Sequence, residues 1–256
     1  MKNTVKTFIH ILIDGLKPFN KKNISTHITL ISIPVLVLLF LNFSVSGMFR
    51  AFFGNTQFVQ GLNPNQFTFW AQAYMSACTF FFFMIVPIIV FKLLPIKMDY
   101  AYGMRITGIR RHFVVSILIV AFMVPILWIS FATSGFNNFY PMYKPLTLKD
   151  WFFYECIYLP LFLPTEFFFR GVVLYRLESF FPGRGVWVAI IAYAIGHLFK
   201  PLPEAMASII AGYVLGMLSL HSRSIWPGFI VHVSIAFLAD LFAMIHSGYM
   251  QRLLSI

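Results

Sequence analysis

Apolar residues run along this chain in stretches close to the length of a bilayer crossing, and the polar residues between them mark the turns. Runs near the roughly 20 residues that a spanning helix needs fall at 28–45, 68–94, 113–133, 151–175, 186–199, 205–220 and 225–245. Seven spans are expected, with eight as the alternative. The last three are the least defined in length, because Pro201, Pro203 and Glu204 leave almost no loop between the fifth and sixth. Ahead of the first run the pattern changes: Val5, Phe8, Ile9, Leu12 and Leu16 recur at helical spacing with Lys2 and Lys6 among them, which predicts a basic amphipathic helix lying on a membrane surface. A disordered basic leader is the alternative. Asp14, Lys17, Lys21 and Lys22 interrupt this segment and no small-residue cleavage site follows, so it does not read as a cleavable signal. The predicted fold is an all-α membrane protein, a polytopic bundle of about seven or eight transmembrane helices with a cavity at mid to cytoplasmic depth. Its expected organisation is a leader at 1–27, N-terminal spans over 28–150, a motif-bearing core at 151–245 and a tail at 246–256.

Composition agrees with the bilayer. Hydrophobic residues make up 59% of the chain and charged ones 11%, with a mean hydropathy of +0.81, against about 25% charged in average soluble chains. The net charge of +11 would suit nucleic acid, but the basic residues flank apolar runs as membrane-bordering residues do, so nucleic acid is not an expected partner. Cys78 and Cys156 both lie inside apolar runs, far from any ligand or disulfide spacing. Lysine and arginine crowd the leader and the second connection (Lys97, Arg105, Arg110, Arg111), while the first connection has only Arg50. The bias predicts a cytoplasmic N-terminus.

Against this apolar background four ionisable residues stand out: Glu166 and Arg170 in LPTEFFFRG, His197 in AYAIGHL and His232 in WPGFIVHVSIAFLAD. Such groups inside a span are costly and mark functional sites. At about 1.5 Å per residue, Glu166, His197 and His232 all fall in the middle or cytoplasmic half of a core about 30 Å thick. Pro160 and Pro164 remove two backbone donors just before Glu166, and broken backbone survives in lipid only where protein or a cavity covers it. Arg170 follows Glu166 by one turn, where the two can pair; such a pair could equally brace a helix end. One carboxylate and two imidazoles at similar depth also form a ligand set that zinc accepts, with a position left for water. A divalent metal on Glu166, His197 and His232, zinc foremost, is the expected cofactor.

TEFFFR at Thr165 to Arg170, YAIGH at Tyr193 to His197 and HVSIA at His232 to Ala236 resemble the three motifs of the CPBP intramembrane protease family, the Rce1-like or CAAX-protease and bacteriocin-processing family, whose pattern is EExxxR, FxxxH and HxxxN. The resemblance covers about residues 151–240; the first half is similar only as a set of spans. It implies a helical membrane bundle whose central cavity holds the motifs, and an endopeptidase acting on membrane-associated peptides or proteins, prenylated CAAX proteins in the type members. It also implies roles: Glu166 as the second glutamate of the pair, Arg170 as the arginine that holds it, His197 and His232 as the motif histidines. Tyr193 stands where phenylalanine is usual. Thr165 occupies the place of the first glutamate, which activates water, and Ala236 that of the asparagine expected to stabilise the oxyanion. Threonine is no base near neutral pH and alanine donates nothing. Losses at such positions cost about 10² to 10³ for an oxyanion donor and about 10² to 10⁴ for a general base.

Glu155, about three turns before Glu166, and Asp240, one turn beyond Ala236, are weaker substitutes for the base; Asp240 reads more readily as a polar group near the outer interface. Ser208, Gly212 and Gly216 form a small-xxx-small series that permits close helix approach. The phenylalanines at 80–83, 152–153 and 167–169 are expected to face lipid or pack. Three functions fit: a CPBP-type metal-dependent endopeptidase, a catalytically impaired relative that binds peptide or lipid as an immunity or scaffold protein, and a small ion-coupled transporter. The last is disfavoured by the lack of an internal repeat of spans.

Overall fold

With so few polar side chains to interrupt them, the apolar runs satisfy their backbone groups as helices. The computed structural model describes residues 24–93, 103–106, 110–133, 136 and 139–255, and among these every regular element is helical. The elements are α1 (Ile24–Phe43), α2 (Ser46–Phe53), α3 (Gln57–Gln60), α4 (Pro64–Leu93), α5 (Arg110–Thr133), α6 (Leu148–Phe180), α7 (Gly185–Ile195), α8 (Leu202–Ser222), α9 (Trp226–His246) and α10 (Tyr249–Leu254). The predicted amphipathic leader lies outside the described residues apart from the start of α1.

Five helices, α4, α5, α6, α8 and α9, are long and apolar enough to cross a membrane, and α1 with α2 makes a sixth if their 66° bend is taken within one span. The run at 186–199 differs from expectation. Its helix, α7, stops at Ile195 after 11 residues, about 16 Å, because Gly196 and the Pro201/Pro203 pair do not sustain it. The chain then turns through 196–201 directly into α8.

α6 is the central helix. About 72% of its most apolar window is buried, against 6% for α5 at the periphery. It starts in a capping box, with Thr147 and Asp150 exchanging side-chain and backbone hydrogen bonds at 3.0 and 3.1 Å. At Pro160 it tightens into a 3₁₀ turn (Leu159–Leu161) and from Phe167 to Leu174 it widens into a π-helical segment. Phe167, Phe168 and Phe169 are buried there with Val172, Val173 and Leu174, packing on Phe83 of α4, on Ile33, Leu36 and Val37 of α1 and on Val186, Ile190 and Tyr193 of α7. Phe83 and Phe168 stack at 4.6 Å between ring centroids. Phe81, Phe152 and Phe153 face outward. The phenylalanine runs thus divide between core and periphery.

Ser208, Gly212 and Gly216 fulfil their packing role on α8. A Cβ at Gly212 would lie 3.1 Å from Tyr193 Cδ1, and one at Gly216 would lie 2.9 Å from Val186 Cγ2. α5 packs along α9, where Ser116 Oγ donates to the Pro227 carbonyl at 3.0 Å. A polar clasp holds the α7–α8 turn: Lys200 Nζ donates to Tyr140 Oη at 2.8 Å, and Tyr140 Oη donates to Glu204 at 2.9 and 3.0 Å. Burial, then the neighbouring Tyr158 and Glu204, pushes the Tyr140 hydroxyl well above its usual range, so it keeps the proton it donates.

The α7–α8 contact yields a direct test. Gly216→Val should lower stability by about 1 to 3 kcal/mol through overpacking, read from thermal unfolding in detergent, and Val186→Ala in the same chain should recover part of the loss.

Candidate functional site

Glu166 ends the α-helical turn that precedes the π segment of α6, and its side chain is fully buried. A carboxylate there must find its counter-charge inside the protein. Arg170, one turn on in the same helix, supplies it: Nη1 lies 3.2 Å from Glu166 Oε1. His232 approaches from α9 and places Nδ1 2.7 Å from the same oxygen. Since an ionised carboxylate only accepts, Nδ1 carries a proton, and in the neutral imidazole Nε2 is then the acceptor. His232 remains about 14% exposed, unlike Glu166.

Tyr193 of α7 closes the other side. The Arg170 guanidinium carbon sits 4.0 Å from the centroid of its ring, a cation–π contact that phenylalanine would also provide. His197 lies one turn beyond, its ring 4.6 Å from that of Tyr193, with Nδ1 3.0 Å from the Tyr193 carbonyl oxygen. That bond makes Nδ1 the donor here too and leaves Nε2 free. The His232 ring packs 4.5 Å from Phe162 and 6.1 Å from Tyr193. The two histidines therefore flank Tyr193, while only His232 bonds Glu166. A crevice of about 10 Å³ lies behind Arg170 and Tyr193, bordered by Gly212 and Gly216, close to the room one water needs.

Gly228 of α9 sets how closely that helix can approach. A Cβ there would stand 3.0 Å from Glu166 Oε2, and this oxygen has no hydrogen-bond partner among the described residues. The acceptor is turned toward backbone rather than toward the imidazoles. The expected metal set is accordingly not gathered: no three His, Cys, Asp or Glu side chains among the described residues group so as to hold an ion. The cause is physical. Glu166 Oε1 is already shared by His232 and a guanidinium, whose charge opposes a dication at the same oxygen.

Thr165 and Ala236 occupy the positions the motifs predict but supply neither base nor donor. Thr165 Oγ1 donates back to the Leu161 carbonyl at 2.9 Å, and Ala236 packs in an apolar cluster with Tyr143, Tyr154, Tyr158, Leu161 and Phe162. Asp240, expected as a polar group near the outer interface, is 3% exposed and meets Glu155 of α6 around the Trp151 indole. Both acids were visible as ionisable residues within spans; the indole that joins them was not, because its partner is 89 positions away.

Residues 148–238 match the family model described as type II CAAX prenyl endopeptidase Rce1-like, a stretch that runs from the start of α6 into α9 and includes Thr165, Glu166, Arg170, Tyr193, His197, His232 and Ala236. No curated protein and no solved structure matches the chain. Over these residues the chain is similar to the Rce1-like family, in agreement with the three motifs.

The buried Glu166–Arg170 ion pair can be tested on its own. Arg170→Ala leaves Glu166 buried beside a histidine alone and should cost about 3 to 5 kcal/mol of stability. Adding Glu166→Gln should return much of it, so that the double variant melts well above the sum of the single losses.

Proposed function

We propose that this Rce1-like protein is an intramembrane endopeptidase of the CAAX prenyl protease type, cleaving a membrane-associated peptide or protein with water activated by the Glu166–His232 pair. The observation that carries the reading is the 2.7 Å contact between His232 Nδ1 and a fully buried carboxylate held by Arg170. In it Glu166 orients the imidazole and stabilises its cationic form, as the carboxylate does in other acid–histidine arrangements. His232 Nε2 takes a proton from water as the oxygen attacks the peptide carbonyl. The C–N bond then breaks, the same nitrogen returns the proton to the departing amine, and the acyl carbon keeps the hydroxyl. His197 offers a second lone pair on the far side of Tyr193. The Lys/Arg bias of the connections supports a cytoplasmic N-terminus for the protein in its bilayer, and a lipid-anchored, prenylated chain is a substrate that such a setting would suit.

A second reading has its own support. With Thr165 turned back onto Leu161 and Ala236 packed among tyrosines, the site lacks an oxyanion donor and a second carboxylate. A protein that keeps the scaffold and binds peptide or lipid without cutting would be built this way.

Cleavage of prenylated and unprenylated peptide reporters in proteoliposomes separates the two. The protease reading expects slow cleavage that falls by about 10² or more in His232→Ala, and a gain of similar size when Thr165→Glu and Ala236→Asn are combined. Binding of the same peptides with no cleavage by either the natural chain or the restored variant would leave the second reading standing and end the first.

A further inference from the structure

A second pair of acids faces across the α6–α9 seam, at the end of the bundle where α6 begins and α9 ends. Glu155 is 6% exposed and Asp240 3%. The Trp151 indole N–H donates to Glu155 Oε1 at 2.9 Å and to Asp240 Oδ2 at 3.1 Å, so one hydrogen draws both carboxyls to it. The two acids thus share one donor, and neither forms an ion pair with a Lys, Arg or His among the described residues. By helical rise the pair stands about 12 to 16 Å from the Glu166–His232 contact, with Tyr158, Phe162 and Ala236 packed between.

Among the described residues the surroundings offer no compensating charge. Tyr154 and Tyr158 of α6 and Tyr140 and Tyr143 of the preceding loop are neutral hydroxyls. Glu204 of α8 is another acid, and Lys200, the cation of that corner, is engaged with Glu204 and Tyr140. One shared indole hydrogen cannot hold two negative charges in contact, since like charges in a medium of low dielectric repel strongly and buried ions must be matched. Independently, Glu155 Oε2 is buried without a hydrogen-bond partner among the described residues, which buried polar atoms rarely are.

We propose that Glu155 and Asp240 form a proton-binding site, in which one proton is held between the two carboxyls and ties α6 to α9. The proton sits on Glu155 Oε2 and is donated to Asp240, giving the orphaned atom its partner. The single remaining negative charge receives the indole N–H. A proton is the ligand that fits, because a metal cation between the acids would meet the indole hydrogen directed at both. Nothing in this site depends on the protease reading.

Infrared spectroscopy of the full chain in lipid nanodiscs at neutral pH, in H₂O and D₂O, reads the site directly. The difference between wild type and Glu155→Gln/Asp240→Asn should contain one protonated-carboxyl stretch, shifted in D₂O, and one ionised-carboxylate stretch. Labelling the wild-type chain with carboxyl-¹³C glutamate should move the protonated band, so the assignment stands even if the double variant folds poorly. Two ionised bands, two protonated bands, or no protonated band that moves with the glutamate label would each overturn the proposal.

Discussion

A carboxylate with no exposure, placed midway along the most buried helix of a membrane protein, has to be neutralised by the protein around it, and the motif-bearing half of this chain is arranged to meet that demand. Glu166 takes a cation from its own helix through Arg170 and a donor from α9 through His232. The guanidinium in turn needs cover that is neither water nor lipid, and the Tyr193 face provides it. Three helices are thus committed by one charge. α8 is drawn in through glycine, since Gly212 and Gly216 allow it to lie against the Tyr193 and Val186 side of α7, and at Gly228 of α9 a side chain would crowd the carboxylate, its Cβ standing 3.0 Å from Oε2.

The backbone of α6 reflects the same requirement. A continuous α-helix would carry its apolar residues past the site at uniform spacing. Proline at 160 and the π segment from Phe167 change the pitch on either side of Glu166, and such departures are common where a helix presents a functional side chain. The wider segment buries Phe167, Phe168 and Phe169 together with Arg170, which keeps the ion pair dry. Along the same seam the acids Glu155 and Asp240 lie in a different setting, with an indole donor and no cation. The seam therefore holds one acid by opposite charge and two by shared hydrogen, with an aromatic layer separating them.

Function rests on how much of the Rce1-like chemistry survives in that frame. The groups that position charge are present: Glu166, Arg170, His232 and, beyond Tyr193, His197. The groups that would add a second carboxylate and an oxyanion donor are replaced by Thr165, which satisfies itself on Leu161, and by Ala236, which packs. An imidazole oriented by a buried carboxylate retains a route to activate water, and it is on this that the proposed activity depends.

Hydropathy marked the five helices long and apolar enough to span, though not the shortness of the helix at 186–195, and the three motifs marked Glu166, Arg170, Tyr193 and the two histidines near it. Small residues on α8 announced a close packing that was found. Other features could not be read locally. The length of α7, the 66° bend between α1 and α2 and the π widening of α6 follow from how neighbouring helices share space, which one-dimensional hydropathy does not encode. Side-chain orientation was likewise beyond the sequence: Glu166, His197 and His232 have suitable donor atoms for a metal, and the fold turns the carboxylate toward Arg170 and Gly228 while His197 bonds the Tyr193 carbonyl. The pairing of Glu155 with Asp240 needed α6 and α9 to be antiparallel in one particular register. The sequence by itself determined which residues carry charge into the membrane; tertiary packing decided which of them meet, since partnership between buried charges depends on distances of a few ångströms between residues dozens of positions apart.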